Sequence, residues 1–556
     1  MSDAPITHRD TGHSSNWRAS VAVLWSGFES RLMAASDWLN PILVKETRQA
    51  LKSWQFALTF VLLLVACWIV TIGGVAMIGP SVYFAAGGSE LLRAYYFILA
   101  FPLLVVVPFS AFRSLAAERE DNTYDLLSIT ALRPRQIVGG KLGSAVAQMA
   151  VYFSAITPCL AFTYLLRGVD MPTIALLLAY TFFASLALAM IGLLLATLTR
   201  QRYHQVILSV AFVALLLLMF TWSQEIAEEL VRNGYIVIAQ PGFWAVSLML
   251  AVLYATTFAM AFLAAAGMIT FETENRSTPL RCAMLVQQAA LIGCGYGLWI
   301  YAGSGAEEVT LVMAILAGIY WWGMGTMLTG ERPEMSQRVM RRLPQSMVGR
   351  MFLTWLQPGP RSGYVFAVAN LLSVLLVGVI ALWFIGFRNI AGVAWIGWTD
   401  YFSVLAVGTG YVVAYLGLGC LAIAWLRRVT IVTMFSGVLI HVLLLLAGSG
   451  IPTSIQFMSL ELRNLPYSYL QITNPIWTLY YMLNYAGSPE APLLTLVIPA
   501  AALCVLLLNM PGIVRELRRV RIAMPERIAR DEAELHPPPE AGPKNPWEEE
   551  EFSSRA

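Results

Sequence analysis

The sequence predicts an all-α polytopic membrane protein, with about twelve transmembrane helices in two six-helix halves and both termini cytoplasmic. Its composition is the first indication. Of 556 residues, 58% are hydrophobic and 12% are charged, whereas about a quarter of residues are charged in soluble proteins. The mean hydropathy is +0.66. Long apolar stretches and an uneven distribution of Lys and Arg are the second and third indications.

Twelve apolar stretches are long enough to cross a bilayer, which requires about 20 residues each. They are Trp54–Ile78, Leu91–Phe112, Ala145–Leu166, Ile174–Leu198, Val206–Trp222, Ala245–Ile269, Met284–Tyr301, Val309–Leu328, Tyr364–Phe387, Tyr401–Trp425, Ile431–Gly448 and Leu493–Met510. If the N-terminus is inside, the external loops contain only Arg93, Arg167, Arg232, Arg388 and Arg463 of the 36 basic residues. This asymmetry satisfies the positive-inside rule.

The stretch Asn40–Ser53, just before the first span, is amphipathic. Its polar side carries Lys45, Arg48 and Lys52, and its other side carries Ile42, Leu43 and Leu51. This pattern predicts a helix that lies in the membrane interface. The polar residues before it lack the apolar core of a signal peptide, so we expect the first span to direct insertion.

These features divide the chain into five predicted regions. They are a cytoplasmic N-terminus with the amphipathic interfacial helix (1–53), a first six-span half (54–269), a cytoplasmic linker (270–283), a second six-span half (284–512), and a basic helix with a disordered acidic and Pro-rich tail (513–556).

The two halves share a layout, which predicts an internal duplication. Each has its largest cytoplasmic loop after its second span (113–144 and 329–363) and its longest external loop before its sixth (223–244 and 449–492). Thr130–Pro134 and Thr354–Pro358 share a Thr-x-Leu-x-Pro pattern, and each follows a Glu-Arg pair. We further expect the external loops to be partly helical, with an acidic helix at Gln224–Leu230 and interfacial helices within 455–485.

The segment 113–143 is a polar island between two apolar spans. It contains a charged cluster, an amphipathic run with Leu126, Leu127 and Ile129, and a Gly-Gly-Lys sequence at 139–141. Pro134 suits the first turn of a helix. We interpret the segment as a short helical hairpin that docks on another protein.

This segment resembles the characteristic loop of the permease subunits of type-2 ATP-binding-cassette (ABC) exporters, in which acidic residues, paired leucines and a Gly-Lys follow span two. Asn122 and Ala131 depart from the usual glycine and proline. The resemblance implies a substrate path through a bacterial cytoplasmic membrane, driven by separate ABC ATPase subunits that hold ATP and Mg²⁺. Its docking residues here would be Glu118, Arg119, Glu120, Thr123, Leu126, Leu127, Thr130, Pro134 and Lys141.

If the duplication holds, a second docking loop is expected at Glu331, Arg332, Thr354, Leu356 and Pro358, and one chain could accept two ATPases. If it fails, the transporter would be a homodimer. We expect no cofactor, metal or nucleic acid on this chain, because Gly139–Lys141 lacks the remainder of a phosphate loop and the histidines form no cluster.

Two other functions remain open: an ion-coupled secondary transporter and a membrane scaffold without transport activity. An ion-coupled transporter needs titratable groups within the membrane, and His441 is the candidate in these spans. A lone His in an apolar run is more often a hydrogen-bonded packing residue. Catalysis by the chain itself is disfavoured, because the HExxH and GxSxG motifs are absent.

Overall fold

The computed structural model of the chain is helical, with no β-strand in the residues that it describes. These residues are 40–519, apart from 79–86, 121–132, 199–201, 272, 303–305, 342, 344–345, 347, 350–353, 384–397, 431 and 486, together with 530 and 534. The chain divides into two compact units, residues 1–270 and 271–556.

The first unit contains eight described α-helices. They are α1 (Pro41–Leu51), α2 (Trp54–Ile78), α3 (Gly88–Phe101), α4 (Val107–Glu120), α5 (Pro134–Leu165), α6 (Met171–Leu198), α7 (Arg202–Ile238) and α8 (Pro241–Ile269). A π-helical turn at Pro102–Val106 joins α3 to α4 within one long span. Proline has no backbone N–H to donate to the carbonyl four residues earlier, and the π-helical turn begins at Pro102, where this α-helical hydrogen bond is missing.

The second unit contains the helices that follow in the chain. They are α9 (Ser277–Ala302), α10 (Ala306–Thr329), α11 (Gln337–Arg341), α12 (Pro360–Ala381), α13 (Trp398–Leu426), α14 (Met434–Met458), α15 (Pro475–Asn484) and α16 (Ala491–Leu517). Short 3₁₀ turns occur at Thr354–Leu356 and Tyr469–Thr473.

Twelve helical segments of the described chain are long and apolar enough to cross a membrane, which confirms the predicted class and number of spans. Six lie in each unit: α2, α3–α4, α5, α6, α7 and α8, then α9, α10, α12, α13, α14 and α16. The protein is therefore a multi-pass membrane protein. The sidedness of the termini and the repetition of one half by the other remain predictions.

Several helices extend beyond the predicted spans. The acidic stretch Gln224–Leu230 is not a separate external helix, because α7 is continuous to Ile238. The boundary expected at Gly512 also falls inside a helix, since α16 ends at Leu517. In the predicted external region 455–485, α15 begins after Asn474, whose side chain accepts a hydrogen bond from the N–H of Trp477.

The α3–α4 span is the centre of the first unit. Tyr95, Leu99, Leu103 and Leu115 on it are fully buried. In the second unit, α13 packs closely on α16, where a Cβ added at Gly417 would lie 2.5 Å from Val505. Small residues at such crossings allow membrane helices to approach each other, because lipid provides little hydrophobic drive between helices.

Candidate functional site

Three helices of the first unit meet around the buried ammonium group of Lys141. The side chain is 1% exposed, and its Nζ lies 3.0 Å from Glu118 Oε1 and 3.2 Å from Glu46 Oε1. Lys141 belongs to α5, Glu118 to α4 and Glu46 to α1. We name this cluster loop base 1, because it joins the two ends of the segment 121–132. A buried charge is tolerated only when it is paired, and Lys141 pairs with two carboxylates.

Helix α1 reaches this position because α5 has glycines where the two helices cross. A Cβ at Gly140 would lie 2.8 Å from Ile42 Cγ2, and one at Gly143 would lie 2.6 Å from Leu43 Cδ1. Asn40 caps α1 by accepting a hydrogen bond from the N–H of Ile42, and its amide donates to the carbonyl of Gln136. The Gly-Gly-Lys sequence therefore serves helix packing and charge pairing. The apolar side of α1, which predicted insertion into the membrane interface, partly faces α5.

The ends of α4 and α5 have further anchors. Arg119 donates a hydrogen bond of 2.7 Å from Nη1 to the carbonyl of Thr197 at the end of α6. At the start of α5, the side chain of Gln136 accepts a hydrogen bond of 2.9 Å from the N–H of Arg133. Pro134 begins the third span itself, and Glu118 belongs to the helix of the second span. The first and last residues of the predicted hairpin therefore belong to the membrane-spanning helices α4 and α5.

The structure brings together two of the nine predicted docking residues, Glu118 and Lys141. Glu120 is exposed at the last position of α4. Thr123, Leu126, Leu127 and Thr130 lie outside the described residues, so their docking role remains a prediction. Glu46 was not predicted as a site residue. A signal was available, because residues four positions apart share one helix face, which places the carboxylate of Glu46 on the same side as the apolar Ile42.

The corresponding loop of the second unit is anchored by a carboxylate. Glu331 follows α10, and its Oε2 lies 2.8 Å from Nη2 of Arg281, which is fully buried near the start of α9. The same carboxylate accepts hydrogen bonds from the N–H of Gly359 at 2.9 Å and the hydroxyl of Ser277 at 2.6 Å. We name the cluster of Ser277, Arg281, Glu331 and Gly359 loop base 2.

Arg281 also binds the chain just before α12. Its guanidinium donates to the carbonyls of Trp355 at 2.5 Å and Gly359 at 3.2 Å, and to the hydroxyl of Ser362 at 3.2 Å. The planar guanidinium has five donors, so it can satisfy several acceptors that are buried together. Loop base 2 therefore fixes both the end of α10 and the start of α12 against α9.

Two further charged groups hold this region. Arg427, which follows α13, donates from Nη2 to the carbonyls of Gly330 at 2.9 Å and Glu331 at 2.6 Å. Burial lowers the pKa of Arg427 from its ordinary value. Glu516 of α16 accepts hydrogen bonds from the N–H groups of Ser362 at 2.8 Å and Arg361 at 3.3 Å. A carboxylate at a helix N-terminus is stabilised by the unpaired N–H groups of the first turn.

Of the predicted second docking loop, Glu331 alone is central to this cluster. Arg332 is exposed and Pro358 is half-buried. The carbonyl of Leu356 accepts a 2.6 Å hydrogen bond from the hydroxyl of Thr278. Thr354 begins a 3₁₀ turn, and its side chain lies outside the described part. No local sequence pattern indicates Arg281, Arg427 or Glu516, because their partners in this cluster are distant in the chain.

His441, the titratable residue considered for ion coupling, is buried among backbone groups. Its Nδ1 lies 2.8 Å from the carbonyl oxygen of Gly437, and its Nε2 lies 3.4 Å from the carbonyl oxygen of Leu416 and from Thr329 Oγ1. These contacts are typical of a packing residue in a membrane helix. Among the described residues, no group of three or more His, Cys, Asp or Glu side chains is arranged to hold a metal ion.

Comparison of the chain with models of protein families, with curated proteins and with solved structures finds no match.

Proposed function

We propose that this chain is the membrane-spanning permease subunit of an ABC exporter. It would form the substrate path and couple through the loop after its second span to separate ATPase subunits, which would hold ATP and Mg²⁺. The observation that carries the proposal is the buried Lys141 bridge. It joins α1, α4 and α5 at the two ends of the predicted docking segment.

This arrangement suits the transmission of movement. A load applied to residues 121–132 would reach α4 through Glu118 and α5 through Lys141, so both spans would tilt together. Glu46 extends the same connection to α1, which leads directly into α2. Buried and closely packed groups transmit displacement because they cannot deform continuously.

Loop base 2 supports a second docking point in the same chain. Glu331 and Arg281 fix the C-terminal end of α10 and the N-terminal start of α12, and the loop 332–359 lies between these two points in the chain. Under this proposal one chain accepts two ATPase subunits. The homodimer remains the alternative if the second loop does not dock.

The surroundings of His441 favour this proposal over an ion-coupled carrier. Both ring nitrogens lie close to backbone carbonyl oxygens, and the ring lies against Gly419, where a Cβ would be 2.2 Å from Nε2. A proton relay needs a chain of titratable groups or water. Energy is therefore expected to come from outside the membrane part of the chain.

The decisive experiment changes Leu126 and Leu127 together to Asp in the tagged full-length chain, expressed in its native host. We expect normal membrane insertion, with loss of the co-purifying ATPase and of its stimulation in reconstituted vesicles, because the apolar anchor of the docking segment is gone. A control variant changes Leu460 and Leu465 to Asp, since these are exposed leucines of the predicted external region. An ATPase retained equally by all three proteins would refute the docking role. Nucleotide hydrolysis by the isolated chain would refute the division of labour.

A further inference from the structure

The outward side of α1 is strongly cationic. Lys45 and Arg48 of α1 are exposed, as is Lys52 at its C-terminal cap, while Ile42 and Glu46 on another side of the helix are buried. At 3.6 residues per turn, the three basic positions fall within an arc of about 60° around the helix axis. They therefore present one basic face.

The acidic residue of α1 does not neutralise this face. Glu46 Oε1 lies 3.2 Å from the buried Lys141 Nζ and 4.0 Å from Lys45 Nζ. The side chain of Lys45 is nevertheless 61% exposed. The single carboxylate of α1 thus pairs more closely with Lys141 than with Lys45. The face formed by Lys45, Arg48 and Lys52 therefore keeps a net positive charge.

The position of α1 places this face at the membrane surface. Lys52 stands two residues before Trp54, where the first membrane-spanning helix begins. Trp54 is 80% exposed, and tryptophan favours the level of the lipid headgroups. This location holds whichever side of the membrane the N-terminus occupies.

We propose that the face formed by Lys45, Arg48 and Lys52 binds the headgroups of anionic phospholipids. The lipid phosphates supply the negative charge that this face lacks. The packing of α1 on α5 holds the three cations in place for them. Clustered Lys and Arg residues beside a span attract anionic lipid with about 1 kcal/mol each, which corresponds to about fivefold in affinity per residue.

The test uses the purified full-length protein in neutral detergent, titrated with phosphatidylglycerol and, separately, with phosphatidylcholine. Bound lipid is counted by native mass spectrometry. Wild-type protein is expected to prefer phosphatidylglycerol. The triple variant Lys45→Gln/Arg48→Gln/Lys52→Gln is expected to lose about a hundredfold in apparent affinity for it, and each single variant about fivefold.

A matched control removes three other exposed arginines that are widely separated in the sequence, with Arg167→Gln, Arg338→Gln and Arg463→Gln. This control should retain phosphatidylglycerol within about twofold of wild type. Equal losses in both triple variants would overturn the proposal, since binding would then depend on total charge. An unchanged affinity of the α1 variant for phosphatidylglycerol would also overturn it. If the triple variant does not fold, the affinities of the three single variants test the proposal, and an unchanged affinity in all three would overturn it.

Discussion

Loop base 1 and loop base 2 occupy comparable positions in the two units, and each contains a buried cation that pairs with carboxylate groups in a different way. A buried ammonium group lies between two carboxylates in the first, whereas a carboxylate accepts from a guanidinium and a backbone amide in the second. In both, the end of one span is fixed against the start of another. The comparison teaches that the same mechanical connection can be made by a buried ammonium group or by a buried guanidinium group, provided that the buried charge is paired.

A second difference concerns the partners. Lys141 is held by side chains of two other helices, so loop base 1 depends on the packing of α1 against α5. Arg281 binds two side chains, Glu331 and Ser362, and in addition two backbone carbonyls that precede α12. Loop base 2 should therefore tolerate changes of neighbouring side chains better, while loop base 1 should be sensitive to the glycines at the helix crossing.

The largest effect is expected from Arg281→Met. The substitution leaves the carboxylate of Glu331, which is 13% exposed, without its cation and leaves the carbonyls of Trp355 and Gly359 without this donor. We expect a loss of about 5 kcal/mol in the free energy of unfolding, measured by denaturant titration in mixed micelles. Adding Glu331→Gln should recover part of it. A loss below about 1 kcal/mol would show that the cluster does not hold the unit together.

Lys141→Met should lower the free energy of unfolding by about 3 kcal/mol in the same denaturant titration. The effect is smaller than for Arg281 because Arg281 also serves the carbonyls of Trp355 and Gly359, and because Lys45 remains 4.0 Å from Glu46. The variant Lys141→Met/Glu46→Gln/Glu118→Gln, which removes all three charges, should regain most of the stability. If the triple variant is no more stable than the single one, charge pairing is not the function of Lys141.

The adjacent glycines of α5 test the helix crossing. Gly140→Ala should destabilise the protein by about 1–3 kcal/mol, because the new methyl group would lie 2.8 Å from Ile42 Cγ2 and 3.1 Å from the backbone nitrogen of Leu43. Gly139→Ala is the matched control. No atom lies within 4 Å of its added Cβ, and alanine favours a helix by up to about 1 kcal/mol. Equal melting temperatures for the two variants would contradict the close approach of α1.

The smallest effect is expected at the other end of the α3–α4 span. Arg93 Nη2 lies 2.9 Å from Glu228 Oε2, and both side chains are more than a third exposed. Glu228→Gln should change the free energy of unfolding by less than about 1 kcal/mol, because water screens an exposed ion pair. If Glu228→Gln lowered the free energy of unfolding as much as Lys141→Met does, burial would not explain why the ion pairs of the loop bases are more stabilising than exposed ones.

The sequence allowed the spans to be predicted but not the ends of their helices. Hydropathy reports which residues contact lipid, whereas a helix continues for as long as its backbone hydrogen bonds do. For this reason α7 and α16 extend beyond their apolar stretches. Glu118 and Lys141 were predicted as site residues from the loop motif, but their pairing was not. Glu516 lies 154 residues from Ser362, its hydrogen-bond partner, so no local pattern could indicate that contact.

The amino-acid sequence by itself determined that this protein crosses the membrane as α-helices. In lipid every backbone polar group must be satisfied within its own segment, and apolar runs of this length allow only the helix. Tertiary structure alone decided which charges meet. Pairing at the loop bases depends on how closely helices distant in sequence approach, and at α1 and α5 that approach requires the absence of a side chain at Gly140 and Gly143.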